Sequence, residues 1–403
     1  MIKRIARFIL DNWNSPVTVL MLTAIGMQLS FFTWWTLSKN FAVEEIAFTG
    51  REIGIQESVR EIPGFLAFLV VYVTLIIREQ KLAILSLAML GFGVAITGYF
   101  PTTIGFITTT FIMSVGFHYY ETMNQSLQLQ WLPKATAPIT MGRIIAVSSF
   151  AQLIVYGLIW SSWDLLELTF NTVFVVAGGA TLVIAAYVWW AFPQFEGEVP
   201  QRKSLVLRGR YWLYYALTFM SGARRQIFTV FAGFLMVERF GYHVHEVAAL
   251  FLVNGIVSMM IAPMVGRWIV KYGERPVLIF EYVGLMLVFT AYAYVSVAWI
   301  AAALYIIDHF FFAMAIAMRT YFQKIADPAD IAPTAGVSFT INHIAAVVIP
   351  VIFGFIWIYS PALVFLLGTG MAAISLVLAL MVPKDPAEGN EYILPGRRLA
   401  PAE

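Results

Sequence analysis

The sequence predicts an all-α integral membrane protein, with twelve transmembrane helices in two six-helix bundles. Three observations carry that reading. Of the 403 residues, 60% are hydrophobic and 12% charged, about half the charge of an ordinary soluble chain, and mean hydropathy is +0.80. Apolar runs of about 20 residues, enough to cross a bilayer as a helix, recur along the whole length. The longest break between them, Pro193 to Arg208, divides them six and six.

Taken in order, the first span covers 16–40 and carries Gly26-Met27-Gln28 and the aromatics Phe31, Phe32, Trp34 and Trp35. The second, 52–77, holds Glu57, Arg60 and Glu61, with Gly54 and Gly64 on the same side. The third, 81–100, is free of charge between Leu82 and Gly98. The fourth, 103–131, repeats polar residues at three- and four-residue intervals, Ser114, His118, Glu121, Thr122, Gln125 and Gln128, which places them on one helical face. The fifth and sixth, 138–160 and 166–192, follow, the sixth uncharged from Leu168 to Ala191. The seventh, 210–238, contains Ser221-Gly222-Ala223-Arg224-Arg225-Gln226 near its middle. The eighth and ninth are 245–270 and 277–297, the ninth with one charge, Glu281, expected to pair with the basic loop beside it. The tenth, 299–323, offers Tyr305, Asp308, His309 and Phe312. The eleventh, 333–358, offers Thr334, Ser338, Asn342 and His343, with Pro350 and Gly354 beyond. The twelfth, 361–382, is uncharged from Ala362 to Val382.

Composition excludes several classes. Cysteine is absent, which removes disulfides, thiolate chemistry and Cys-based metal sites. The five histidines show no metal spacing, and no Walker Gly-x-x-x-x-Gly-Lys loop occurs, so no metal, cofactor or nucleotide hydrolysis is expected. A net charge of +2 is too small to indicate nucleic acid. The basic start of the chain (Lys3, Arg4, Arg7) is followed by Asp11 and Asn12, which reads as a tail with a short interfacial helix.

Charge sets the expected orientation. If the N-terminus is cytoplasmic, all of the 25 Lys and Arg but Lys39, Arg51, Arg60, Arg224, Arg225 and Arg239 gather at inside loops and span ends. Both termini are therefore expected in the cytoplasm, with the chain in the inner or plasma membrane. The halves also repeat, about 195 residues apart. Gln130, Ala137-Pro138, Gly142 and Gly157-Leu158-Ile159-Trp160 recur as Gln323, Ala332-Pro333, Gly336 and Gly354-Phe355-Ile356-Trp357. Gly26-Met27-Gln28 likewise stands opposite Gly222-Ala223-Arg224. The order is preserved, as in parallel repeats.

This layout resembles the major facilitator superfamily over essentially the whole chain. The most specific local motif follows the eighth span, Gly266-Arg267-Trp268-Ile269-Val270-Lys271-Tyr272-Gly273-Glu274-Arg275. There Gly266, Lys271, Gly273 and Arg275 match the family's loop signature, while Val270 stands where an acidic residue is expected. The first-half counterpart, Ile76 to Lys81, departs from the signature. The fourth span has no Arg-x-x-Gln-Gly, and the fifth no Gly-Pro pair of the drug/proton antiporter kind. The resemblance implies secondary transport by alternating access, with spans 1, 2, 4, 5, 7, 8, 10 and 11 around a central cavity. It also implies residues 1–192 and 209–383 as the bundles, 193–208 as the central loop and 384–403 as a tail.

Within that frame the polar residues sort into two groups. Two arginines deep in lipid cost about 3 kcal/mol each on insertion scales, so they should face water, a partner charge or a ligand. Arg225, Arg224, Gln226, His118, Glu121, Gln125, Gln28 and Asn342 are the candidate substrate residues. An organic anion is expected, because guanidinium forks bind carboxylate or phosphate bidentately. The bland alternative is that Glu121, Glu61 or Asp308 already neutralises the arginines. Consecutive helical residues point about 100° apart, which divides the pair: Arg225 toward the cavity with Thr218, Ser221 and Thr229, Arg224 toward a carboxylate on a neighbouring helix. Glu61, Arg60, Glu57, Asp308, His309 and His343 are the candidate gating or proton-coupling residues, Asp308 and His309 as a titrating pair; a packing ion pair is the alternative for Arg60. The expected partners are a small solute, lipid and coupling protons, with the chain a monomer. A flippase or drug exporter, and a membrane sensor without transport, are the competing readings; a membrane-embedded enzyme would need a clustered acid, base or metal set that the dispersed histidines do not offer.

Overall fold

The computed structural model describes residues 13–132, 137–195, 207–327 and 330–393. The expected interfacial helix at 1–10, most of the central loop and the end of the tail lie outside them, as do Pro133, Lys134 and Pro328. The described residues form helices and connections, with no strand beyond a single bridge between Ala387 and Asn390.

Among the described residues the main helices follow in this order: α1 Pro16–Asn40, α2 Gly50–Phe65, α3 Glu79–Ile96, α4 Thr103–Trp131, α5 Ala137–Ser162, α6 Phe170–Ala191, α7 Trp212–Gln226, α8 Val244–Tyr272, α9 Glu274–Tyr294, α10 Ala298–Phe312, α11 Ile331–Tyr359 and α12 Pro361–Leu380. Their starts are chemically marked. Ser15, Thr102, Thr169 and Ser360 accept from the backbone N–H of Thr18, Gly105, Thr172 and Leu363, and proline follows the first and last of these, satisfying donors that a helix start leaves orphaned. Three segments continue past a change of pitch. Pro63 lies inside α2, which passes into a 3-10 stretch, Leu66–Leu69, and a last turn, Val70–Val73. Wide π turns follow α1 at Phe41–Glu45 and α7 at Ile227–Ala232, the latter leading into Gly233–Glu238. α10 continues through Ala313–Ala315 to Ile316–Ile325.

Among the described residues eight helices are long and apolar enough to cross a membrane. Those that are not include α2, α4 and α7, and these hold Arg60 and Glu61, the α4 polar stripe, and Arg224 and Arg225. Helices that break the apolar rule need a polar neighbour or water within the protein.

Grouped by packing, the chain makes two compact units. One takes in the described parts of Met1–Phe48, Val59–Arg202 and Tyr242–Leu252; the other those of Thr49–Ser58, Lys203–Gly241 and Val253–Glu403. Neither is one unbroken stretch, since α2 and α8 each contribute to both. In the first unit α1 packs on α5 and α6, and α3 on α4 and α6; in the second α7 packs on α11 and α12, and α9 on α10 and α12. The same pairings thus recur in both halves of the sequence.

Glycines let these backbones approach, as small residues do between membrane helices. A Cβ on Gly91 of α3 would lie 2.9 Å from the Gly178 carbonyl of α6, and one on Gly178 would strike the Gly91 carbonyl in turn. Beside them Thr181 Oγ1 donates to the Gly26 carbonyl (2.7 Å) and Ser30 Oγ to Thr181 (2.8 Å), tying α1 to α6. In the second unit a Cβ on Gly222 of α7 would lie 2.5 Å from the Asn342 carbonyl of α11.

The chain after α12 folds back on the second unit. Ile393 N–H donates to the Met381 carbonyl (2.8 Å), Tyr321 Oη to the Glu391 carbonyl (2.5 Å), and Tyr392 meets Trp212 edge-on. Arg210 Nη1 reaches Glu388 (2.9 Å). At the same end Asp330, just before α11, takes a fork from Arg208 (Nη2 to Oδ1, 2.8 Å) and a bond from Tyr211 Oη (3.0 Å). The Arg208 hydrogen bond holds the Asp330 carboxyl below its ordinary pKa, and the carboxylate raises Arg208 in return.

Two outcomes are expected. Gly178→Leu should destabilise by about 1–3 kcal/mol through overpacking and lower the melting temperature in detergent, whereas Gly179→Leu, at a position open on every side, should not. Because Asp330 is depressed, its contribution is present at neutral pH and lost as pH falls below about 4. Thermal melts of Asp330→Asn should therefore lie below wild type at pH 7 and converge with it in acid.

Candidate functional site

Among the described residues each unit carries a polar cavity. In the first unit α1, α4 and α5 enclose a cavity of about 500 Å³. Its polar lining comes from Gln28, Glu121, Asn124, Gln125, Gln128, Ser148, Ser149 and Gln152, and its apolar lining includes Phe31, Phe32, Phe117 and Tyr120. Phe31 and Phe117 stack at 4.1 Å between centroids, and Phe32 meets Tyr156 edge-on at 5.8 Å. Glu121 is the one acidic or basic side chain in the lining. Two buried amide oxygens in this wall, Gln28 Oε1 and Asn124 Oδ1, have no hydrogen-bond partner among the described residues.

The α4 stripe therefore divides by depth. Glu121, Gln125 and Gln128 face the cavity, while Ser114 and His118 are buried against α2. Ser114 Oγ donates to the Arg60 carbonyl, His118 Nδ1 lies 3.0 Å from Ser114 Oγ and from the Ser114 carbonyl, and Thr122 Oγ1 donates to the His118 carbonyl (2.8 Å). His118 is not among the cavity residues. Arg60 meets Glu61 at 2.5 Å, both almost wholly enclosed, and its guanidinium lies 5.2 Å from the Trp35 ring. Glu57 is buried as well.

In the second unit α7, α9 and α10 converge on a cavity of about 20 Å³, room for one water. Ser221, Arg224, Arg225, Phe228, Glu281 and Asp308 line it. Arg224 is 4% exposed. Its Nη1 lies 3.5 Å from Glu281 Oε1, its guanidinium lies 4.2 Å from the Tyr282 ring, and its Nε donates to the Met220 carbonyl (3.3 Å). Glu281 thus answers Arg224 and not the basic loop after α8. Arg225 is half-buried on the neighbouring face, near Ser221 and Thr229, whose Oγ1 donates to the Arg225 carbonyl (2.8 Å). Glu281 Oε2 and Asp308 Oδ2 have no hydrogen-bond partner among the described residues.

The residues expected to act together go to different surroundings. Asp308 joins the arginine cluster, while His309 turns to the Phe228 ring (4.1 Å) and the Tyr305 carbonyl (3.0 Å). Asn342 and Gln226 line neither cavity: Asn342 Nδ2 donates to the Thr218 carbonyl (3.5 Å) and Gln226 Nε2 to the Gly222 carbonyl (3.4 Å), both in helix packing. His343 is buried with Nδ1 2.8 Å from the Phe339 carbonyl. In the loop motif, Gly273 takes φ +84°, a left-handed conformation that suits glycine. Gly266 lies inside α8, Lys271 has its ammonium 4.9 Å from the Tyr272 ring, and Arg275 opens α9. The acidic partner at this end is Glu274, which accepts from Lys324 (2.9 Å).

Sequence reasoning missed Asn124, Ser148, Ser149 and Gln152, although the last three recur at helical spacing along α5 and the periodicity that exposed the α4 stripe applies to them. It missed the role of Glu281, whose isolation in the otherwise uncharged stretch 277–297 was the available signal. If Arg224 and Glu281 support each other, Arg224→Gln should cost several kcal/mol by stranding a buried carboxylate. The Arg224→Met/Glu281→Leu double variant should recover much of that loss in detergent melting curves.

The family model for the Major Facilitator Superfamily matches residues 16–350 and 216–399. No curated protein matches. Among solved structures, a mutant of the nucleoside transporter NupG is similar with TM-score 0.74 and 13% identity, covering 91% of this chain and 99% of that one. A bacterial homolog of the human lysosomal transporter Spinster, in an inward-facing and occupied conformation, is similar with TM-score 0.73 and 11% identity, covering 94% and 98%.

Proposed function

The chain belongs to the Major Facilitator Superfamily, and from that premise we propose that it carries a small polar organic solute across the membrane by alternating access. Its family makes it a multi-pass membrane transporter; what it carries is the proposal. The supporting observation is the first-unit cavity. It is large enough for an organic molecule, walled by rings and amides, and holds one negative group, the mixed lining that small-molecule sites use. A solute without net negative charge fits it best. The orphan amide oxygens Gln28 Oε1 and Asn124 Oδ1 favour a solute that brings hydrogen-bond donors.

An organic anion is the second reading, and Arg225 favours it. The guanidinium is half-buried and lines the second-unit cavity with Ser221. Arg224 lends that reading less, because Glu281 already faces it.

Proton coupling is part of the proposal. Its support is the set of enclosed carboxyls, Glu61 in the first unit and Asp308 and Glu281 in the second, groups that are expensive in a membrane unless they work. The cytoplasmic membrane with both termini inside is the location that the Lys and Arg distribution favours.

The test is flux. Full-length protein in proteoliposomes should accumulate a neutral or cationic radiolabelled solute above empty vesicles, and collapsing an imposed proton gradient should abolish accumulation. Accumulation that survives the collapse removes the coupling. Faster uptake of an organic anion, lost on Arg225→Gln, would replace the leading reading with the second.

A further inference from the structure

We propose that the first-unit cavity is an amine site, in which Glu121 accepts the charged N–H donors of a small aromatic cation. The inference rests on the transport reading for its purpose, though not for its geometry.

Charge is the first ground. Glu121 is the only charged group among the cavity's lining residues, and no lysine or arginine is among them. No hydrogen bond or ion pair joins it to another described residue. A carboxylate that a fold leaves without a cation has to be answered by water or by a ligand. A ligand that supplies the missing cation gains a charge-assisted hydrogen bond, about twice as strong as a neutral one.

Polarity of the hydrogen bonds is the second ground. Gln28 is 7% exposed and Asn124 8%, and each presents a buried carbonyl oxygen without a donor. Both line the same cavity as Glu121. Three acceptors with nothing to accept call for a donor-rich head, an ammonium or amidinium. An amide can present its other end, so the sign of the ligand's charge rests on Glu121, and the amides add direction.

The rings are the third ground. Phe31, Phe32, Phe117 and Tyr120 form the apolar side of the cavity. Their faces stack on a flat ring and also attract a cation. A volume of about 500 Å³ holds a two-ring molecule with a short amine arm. An anion would meet Glu121 with no lysine or arginine among the lining residues to offset it.

Three probes that share one ring and differ in charge decide the matter: tryptamine, indole-3-ethanol and indole-3-acetate. Binding is measured by calorimetry on the full-length protein in detergent at pH 7. Tryptamine should bind about tenfold or more tighter than indole-3-ethanol, and indole-3-acetate weakest. Glu121→Gln should bring tryptamine down to about the level that indole-3-ethanol shows with the same variant. Glu121→Asp, which keeps the charge, should retain the preference in reduced form. Should Glu121→Gln melt well below wild type, the Asp variant carries the comparison. Equal binding of all three probes, a preference for indole-3-acetate, no binding of any at 1 mM, or a tryptamine preference that survives Glu121→Gln would each overturn the proposal. Flux separates this inference from the transport reading. Tryptamine that binds through Glu121 yet does not cross proteoliposomes leaves the site standing and removes the transport. Tryptamine carried equally well by Glu121→Gln does the reverse.

Discussion

A charge enclosed among apolar helices has to be answered by a partner charge, water or a ligand, and the contact between Arg224 and Glu281 is where the chain supplies the answer itself. The guanidinium is almost wholly enclosed, and the ring of Tyr282 and the carbonyl of Met220 close the sides that the carboxylate leaves open. Removing either charge alone leaves the other in a medium that penalises it by several kcal/mol. The pairing therefore fixes how α7 faces α9. With α7 held in that rotation, Arg225 is carried to the next face, and Gly222 meets the Asn342 backbone of α11. Asp308 completes the cluster from α10.

The repeat in the sequence is a repeat of packing more than of chemistry. Each unit uses the same helix pairs, and glycines bring them together. The polar interiors differ. The second unit keeps two guanidiniums and two carboxyls around a space for one water, an arrangement balanced in charge. The first keeps one carboxylate and a set of amides around a space some twenty-five times larger, from the volumes of about 500 and about 20 Å³. A balanced cluster suits a hinge or a proton. An unbalanced, roomy one suits a guest. Gln28 and Arg224 occupy equivalent places in the repeat, yet one is an acceptor without a donor and the other a cation already paired.

Most of the fold was legible because a bilayer allows few choices. Length and apolarity announce helices, and the polar stripe on α4 announced its own interior face. Helical geometry sets the side chains of Arg224 and Arg225 about 100° apart, yet both line the same small cavity, with Arg224 turned to Glu281. The identity of Arg224's partner was not legible, because a residue on α9 and one on α7 are brought together only by packing; the isolation of Glu281 marks it as needing a partner without saying which. For the same reason His118 read as a cavity residue. Its spacing puts it in line with Glu121, while the turn of α4 that carries it is covered by the Arg60 backbone. Periodicity gives a face, not what lies against it.

The wide turn at Ile227–Ala232 bears on how this chain can be aligned and edited. A π turn holds one residue more than an α turn, so across it the numbering and the helix face part company by one place. The turn begins immediately after Gln226 in α7, whereas in α1 the corresponding turn waits until Phe41, well past Gln28. With Gln28 set opposite Arg224, the turn of α7 falls opposite residues 31–36 and precedes that of α1, so the helix faces of the two repeats differ by one place between the turns and agree again once both are passed. Deleting one residue inside Ile227–Ala232 would let the helix close into regular α geometry with both of its ends still correctly aimed. The same deletion one turn before Arg224 would swing the guanidinium off Glu281.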